Sequence, residues 1–260
     1  MTIESFPKLK EFTQQPNMQI LFLEETDSTN NWIANHENDL QSPCLVWCRR
    51  QTAGRGQRGN SWESAPGMNF TGSWLIRPIN FPASSQFHLS EAVALAVVYT
   101  LSEYGIRAMV KWPNDIYVDN LKICGILIEH AVTGKDITRS IAGIGVNINQ
   151  IDFISDAPNP VSMKMITGKN FRVEKFAEKL AFYLDFFTNR LIKEPEFLHK
   201  IFMNRLWRND EQNHPFLDKL TGKPVSAKIS GVYDDGRLQL TTSAGEERTY
   251  AFKEIEFLLR

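Results

Sequence analysis

Stretches of alternating apolar and polar residues, broken by stretches of helical spacing, predict the elements of this chain in order. Gln19 to Glu24 reads as a strand. Ser28 to His36 reads as a short helix entered through Thr26-Asp27-Ser28-Thr29, whose hydroxyls are ordinary N-cap chemistry. Leu45 to Cys48 and Asn69 to Arg77 read as strands, the second stopped by Pro78. Ser90 to Tyr104 is a helix with Ser90 as candidate N-cap; Leu89, Ala92, Val93, Ala96, Val97 and Leu101 share a face, and Gly105 ends it. Arg107 to Trp112, Asp115 to Val118, Leu121 to Ala131 and Ile141 to Ile148 follow as strands. Val173 to Ile192 is a long amphipathic helix whose aromatic stripe is core packing, and another helix starts near Pro195 and runs toward Trp207.

After Asn213 the period changes. From Gly222 to Phe257 the chain alternates (Val225, Ala227, Ile229; Leu238, Leu240) and is punctuated by Asp234-Asp235-Gly236 and Ser243-Ala244-Gly245. This predicts a small all-β unit of short strands and tight turns. The expected organisation is a mixed α/β domain over residues 1–214 and a β appendix over 215–260.

Composition narrows the class. Apolar residues at 42% and charged ones at 23% are ordinary for a globular protein, and a net charge of −1 gives no overall field favouring DNA or an anionic membrane. No stretch approaches the 18 or so apolar residues of a membrane span, and the N-terminus has no apolar leader core. Three cysteines, an odd number, point to a reducing cytoplasm. Cys44 and Cys48 lie in a strand-like run where four residues span about 13 Å, too far to share an ion, so they read as buried thiols.

The most telling segment is Gln51 to Pro66. Gly54, Gly56 and Gly59 let backbone N–H groups approach an anion, Arg55 and Arg58 add charged donors, and Trp62 offers a flat surface on which a purine can stack. The glycines formally spell G-x-G-x-x-G. No helix pattern opens at the third, and Ile79 sits near where an acidic partner belongs, so a dinucleotide fingerprint is not supported. No P-loop motif is present. A surface loop with two solvated arginines is the plain alternative.

The second such segment is Lys111 to Glu129. Asp119-Asn120 is a two-residue hairpin turn by composition. It pairs Val118 with Leu121, Tyr117 with Lys122, Ile116 with Ile123 and Asp115 with Cys124. Asp115, Tyr117, Lys122 and Cys124 then share one face, with Asp115 and Lys122 as diagonal neighbours about 7–8 Å apart at Cα. They can form a surface ion pair or hold a reacting group between them. Gly125, Gly143 and Gly145 suit strand sites where a ligand or a packed sheet comes close.

Together these runs resemble the biotin–protein ligase family. The resemblance rests on Ser28-Thr29-Asn30, Gln51 through Trp62, Lys111-Trp112-Pro113-Asn114-Asp115, the run Lys122 to Leu127, and Gly143-Ile144-Gly145-Val146-Asn147, in family order over nearly the whole chain. It implies an α/β (α+β) fold, a mixed sheet with flanking helices of the class II synthetase-like kind, and a C-terminal SH3-like β-barrel. It implies activation of biotin by ATP to biotinyl-5′-adenylate, with Mg²⁺ screening the triphosphate, then transfer to a lysine of a biotin carboxyl carrier protein. By resemblance Lys122, Asp115, Arg55 and Arg58 are catalytic. Ser28, Thr29, Asn30, Gln51, Gly54, Arg55, Lys122 and Gly125 hold biotin; Arg55, Gly56, Gln57, Arg58, Trp62, Asn114, Lys122 and Asn147 hold the nucleotide.

Two departures stand out. Bifunctional members carry arginine where this chain has Gln57, so adenylate retention is expected to differ. Those members also carry a DNA-binding unit before the catalytic pattern, which here starts near residue 19, so the monofunctional class without operator binding is expected, as monomer or homodimer. The rival readings are a lipoate ligase or octanoyltransferase of the same fold, and a non-catalytic binding protein. The intact Lys122 and glycines speak against the second.

Overall fold

The computed structural model describes residues 18–56, 60–155 and 159–259. Gln57, Arg58 and Gly59 lie outside the described residues, and with them the expectations placed on Gln57 and Arg58. Seven strands form the larger sheet: β1 Gln19–Thr26, β2 Cys44–Gln51, β3 Phe70–Ile76, β4 Met109–Lys111, β5 Asp115–Val118, β6 Leu121–Thr133 and β7 Asp136–Val146. Their order is β1-β2-β3-β7-β6-β5-β4. The β1–β2 pair is parallel and the others are antiparallel, which makes the sheet mixed. The second sheet is wholly antiparallel, built from β8 His214–Asp218, β9 Lys223–Val232, β10 Leu238–Thr242, β11 Glu247–Tyr250 and β12 Ile255–Phe257 in the order β11-β10-β9-β8-β12. It is the small β unit anticipated near the C-terminus, and it begins eight residues before Gly222, at His214.

Helices clothe the large sheet on both faces. Alternation sends Leu45 and Trp47 of β2 to one side, into the main core with α2 Phe87–Ser102, α4 Val173–Lys193 and α5 Pro195–Asn204. Cys44 and Val46 point to the other side, where Ile33 of α1 Thr29–His36 joins Leu75 and Ile141. The fifth helix, α3 Met163–Thr167, is capped by Ser162, whose side chain accepts from the Met165 N–H. α4 follows the amphipathic rule, burying Phe176, Leu180, Leu184, Phe187 and Leu191. Burial pushes the Cys44 thiol up to about 11 and raises those of Cys48 and Cys124. All three cysteines are buried and free.

Several sequence expectations are corrected. α2 starts at Phe87 with Gln86 as its N-cap, so Ser90 lies inside the helix. α2 is buried nearly all round rather than along one stripe, which blurs the periodic signal for its start. The strand expected over Arg107 to Trp112 is only Met109–Lys111, and β7 begins at Asp136, not Ile141. The Asp119-Asn120 turn pairs Val118 with Leu121 and Tyr117 with Lys122, as read. A β-bulge then shifts the register, so Ile116 faces Cys124 and Asp115 faces Gly125. Cys124 therefore leaves the Lys122 face for the core. Ile123 and Cys124 are both fully buried, and two adjacent buried apolar side chains cannot obey strict alternation.

Candidate active site

The face of the large sheet that carries α1 also carries a cleft of about 1020 Å³, open to solvent, which exceeds the ordinary small-ligand pocket and has room for two joined substrates. Its floor follows from cross-strand register. Asp115 lies beside Gly125, Gly125 beside Gly145, and Gly145 beside Thr71, one row across four strands. In the row below, Ser73 lies beside Gly143 and Gly143 beside Leu127.

The glycines are explained by what covers them. A Cβ on Gly145 would lie 2.3 Å from the Trp62 indole, and one on Gly125 would lie 2.9 Å from it. Trp62 thus lies against the Gly125–Gly145 pair, with its buried Nε1 lacking a hydrogen-bond partner. Likewise a Cβ on Gly143 would meet Asn30 Oδ1 at 2.7 Å. Tight packing and access to the backbone are both served here, because the packed groups are themselves cleft residues.

The glycine-rich loop is a narrow hairpin at its base. Trp62 N–H donates to Gly54 O at 3.0 Å, Gly56 N–H donates to Asn60 O at 2.7 Å, and Arg55 bridges to Ser61. Glu63 anchors its far end, accepting from the Ile154 and Ser155 N–H groups and from Gln150 Nε2. Burial pushes the Glu63 carboxyl up, and hydrogen bonds from the Ser155 side chain and these N–H groups outweigh it, so the net shift is downward.

A polar chain crosses the sheet beneath the loop. Thr29 donates from its N–H and hydroxyl to Gln51 Oε1 at 2.8 and 3.1 Å. Its hydroxyl also lies 2.6 Å from Ser73 Oγ, which donates to Asn30 Oδ1 at 2.5 Å. Asn30 Nδ2 and Arg55 Nη2 each donate to Glu129 Oε2 at 2.7 Å. Ser28 occupies the N-cap of α1 but makes no capping side-chain bond, so the N-cap reading of these hydroxyls is corrected. Ser28, Thr29 and Asn30 are buried and line the cleft.

At the other end of the floor, Lys122 Nζ stands 2.7 Å from Asp115 Oδ1. The segment before Asp115 is fixed from both sides: Asn114 Nδ2 donates to Ile126 O on β6, and Trp112 Nε1 donates to Gly236 O in the turn between β9 and β10 at 2.8 Å. Lys111 is half-hidden beside them, 3.2 Å from the Tyr117 hydroxyl and 4.8 Å above its ring; burial lowers the pKa of its ammonium. Asn147 Nδ2 donates to Val161 O at 3.1 Å, which leaves its buried Oδ1 without a partner in the cleft wall.

Of the residues named from sequence, Ser28, Thr29, Asn30, Gln51, Arg55, Gly56, Trp62, Asn114, Asp115, Lys122, Gly125 and Asn147 all line this one cleft. Gly54 stands just behind it, where a Cβ would strike Trp62 O at 2.6 Å. Sequence reasoning missed Glu129 and Ser73. Both are polar residues inside apolar strand runs, a signal that was there to be used. It also missed Phe257 of β12, and Lys219 and Phe252 from the segments joining the strands of the second sheet, which no local pattern marks.

Comparison with known proteins gives the family and the fold. Residues 22–147 match the Biotin/lipoate A/B protein ligase family. The chain is 34% identical over 166 residues to a biotin–[acetyl-CoA-carboxylase] ligase of Paracoccus denitrificans, covering 61% of this chain and 68% of that protein. It is 36% identical over 129 residues to the bifunctional ligase/repressor BirA of Bacillus subtilis, where the match spans 49% of this chain and only 39% of the relative. The fold is similar to that of the biotin protein ligase from Aquifex aeolicus solved with biotin and ATP, with a TM-score of 0.74 at 22% identity, covering 92% of this chain and 97% of that one. On the strength of the family match and the Paracoccus relative, this chain belongs to the biotin/lipoate A/B protein ligase family.

Proposed function

We propose that this chain is an ATP-dependent biotin ligase that makes biotinyl-5′-adenylate and passes the biotinyl group to a lysine of a biotin carboxyl carrier protein. The observation that carries the reading is the pairing of cations in one cleft: Arg55 on Glu129 and Lys122 on Asp115, at opposite ends of a glycine floor. A carboxylate attacking a polyphosphate brings like charges together, so cations must sit where they meet. In the first step a biotin carboxylate oxygen bonds to the α-phosphorus and pyrophosphate leaves. Lys122 and Arg55 exchange their internal carboxylates for substrate oxygens. In the second step the carrier lysine attacks the acyl carbon and AMP leaves, and Asp115, released by Lys122, orients the incoming ammonium as it gives up its proton.

The remaining positions divide between the substrates. Thr29, Asn30 and Gln51 of the polar chain, with the adjoining Ser28, suit a ureido group, which needs acceptors and a donor side by side. The orphan Asn147 Oδ1 accepts from an exocyclic amino group of the base, and Gly56, Asn114 and Trp62 frame the nucleotide. Biotin over the Gly125–Gly145 floor requires Trp62 to shift, freeing its face for the purine. Among the described residues the cleft has no ready-made cluster of metal-ligating groups, since Asp115, Glu129 and Glu63 are each already engaged. Mg²⁺ bound to the nucleotide would screen the triphosphate while keeping most of its water. Relatives from Paracoccus denitrificans and Homo sapiens are named as biotin ligases, which favours biotin over lipoate. No helix among the described residues is long and apolar enough to cross a membrane, and a cytoplasmic setting is part of this proposal.

Biotin-dependent exchange of labelled pyrophosphate into ATP tests the reading. Exchange is expected with biotin, not with lipoate, and is expected to fall by roughly 10²–10³-fold in Lys122→Ala while circular dichroism is unchanged. Undiminished exchange in that variant contradicts the role given to Lys122.

A further inference from the structure

Outside the cleft, a cluster of ligating groups joins two helices. His88 and Glu91 stand one turn apart on α2, and His199 faces them from α5. Glu91 is fully buried on a largely apolar helix. Its two oxygens are held by two imidazoles: His88 Nδ1 lies 2.9 Å from Oε2 and His199 Nδ1 lies 2.6 Å from Oε1. None of the three lines the cleft, and the ligase reading gives them no part.

We propose that His88, Glu91 and His199 form a binding site for a divalent transition cation of the zinc class. The candidate ligand atoms all lie within 4.8 Å of one another. Two ligands at ordinary zinc bond lengths and a tetrahedral angle are about 3.3 Å apart, so the site closes on an ion with small side-chain rotations. Two imidazole nitrogens and one carboxylate suit zinc and its neighbours better than magnesium or calcium, which take oxygen. The fourth position is left for water, and the partly exposed His199 is the way in.

The surroundings fit a metal as well as the ligands do. His88 turns its other nitrogen, Nε2, toward Asp234 Oδ1 at 3.6 Å, from the turn between β9 and β10. A carboxylate on the far nitrogen is the usual device for orienting a metal-bound histidine. A divalent ion also offsets the charge of the fully buried Glu91 carboxylate. Without it, the buried carboxylate has only the two imidazole Nδ1 atoms as its partners. The same turn accepts a hydrogen bond through Gly236 O from Trp112, three residues before Asp115. A bound ion therefore ties α2, α5 and the second sheet together behind one wall of the cleft, as a structural brace.

The test uses the full chain, stripped with a chelator and dialysed, then titrated with zinc against a competing chromophoric indicator. One zinc per chain is expected, with tetrahedral visible bands when cobalt replaces it. His199→Gln and Glu91→Gln are each expected to weaken binding by at least about tenfold, and Asp234→Asn by less. His199→Gln should leave pyrophosphate exchange unchanged, which separates this site from the ligase chemistry. Zinc binding no tighter in the native chain than in His199→Gln overturns the proposal. So does binding that survives His199→Gln and is lost in Asp115→Asn, which would place the ion in the cleft. If Glu91→Gln does not fold, the variant at the partly exposed His199 decides alone.

Discussion

The cleft and the α2–α5 contact both set carboxylates against basic side chains at hydrogen-bond distance, yet they are built for opposite ends. In the cleft the partners are open to water: Lys122 and Asp115 side chains are 29% and 27% exposed, and Arg55 and Glu129 are 41% and 42% exposed. Such pairs are worth about 0–1 kcal/mol, so a substrate anion can replace the carboxylate at little cost. Between the helices Glu91 is 0% exposed and holds two histidines from two elements. Removing a partner there leaves a buried polar group unsatisfied. Exposure, more than distance, separates a contact made to be exchanged from one made to last.

That contrast can be broken by substitution. The largest effect is expected for Lys122→Ala, which should lower pyrophosphate exchange by roughly 10²–10³-fold, as for loss of one transition-state donor, and shift the urea midpoint hardly at all. Glu91→Gln should do the reverse: a loss of about 1–3 kcal/mol in urea unfolding, with exchange at saturating substrates unchanged. A smaller effect is expected from pH. With chelator present, the raised pKa of His199 makes its contact with Glu91 fully stabilising below the ordinary histidine pKa of about 6.5. That contribution is lost as pH climbs through the raised folded value, with His88 and Asp234 as the other titratable groups facing the cluster. The melting-temperature gap between the native chain and His199→Gln should therefore narrow across that window. With zinc bound it should widen instead, because the metal needs unprotonated imidazoles. The smallest change is expected for Glu129→Gln, within about 1 kcal/mol in stability, since Arg55 keeps a neutral acceptor at an exposed site.

The same division explains what could be read from the sequence. Local signals carried the Asp119-Asn120 turn, the meeting of Asp115 with Lys122, and the long α4 helix, because turn chemistry and periodicity act between near neighbours. The bulge at Ile123 was marked only by two adjacent apolar residues, which alternation alone treats as noise. Cleft contributions from Lys219, Phe252 and Phe257 depend on how the second sheet docks, and these residues lie more than 100 positions beyond Asp115. The His88–Glu91–His199 cluster was likewise hidden: His88 and Glu91 carry helical spacing, but the third member lies on another helix, 108 positions beyond Glu91. Glu129 and Ser73 were legible in principle, as polar residues within buried strands, and went unread because the loop arginines drew the chemistry toward themselves.

The exchangeable pairs are the centre of this account, and a crystal structure of the chain with biotin and ATP tests them most directly. Lys122 Nζ should have left Asp115, and Arg55 should have left Glu129, for the oxygens of the carboxylate and the phosphate, with Trp62 lifted from the Gly125–Gly145 floor. Ligand bound in the cleft with both ion pairs and the indole still in place would contradict it.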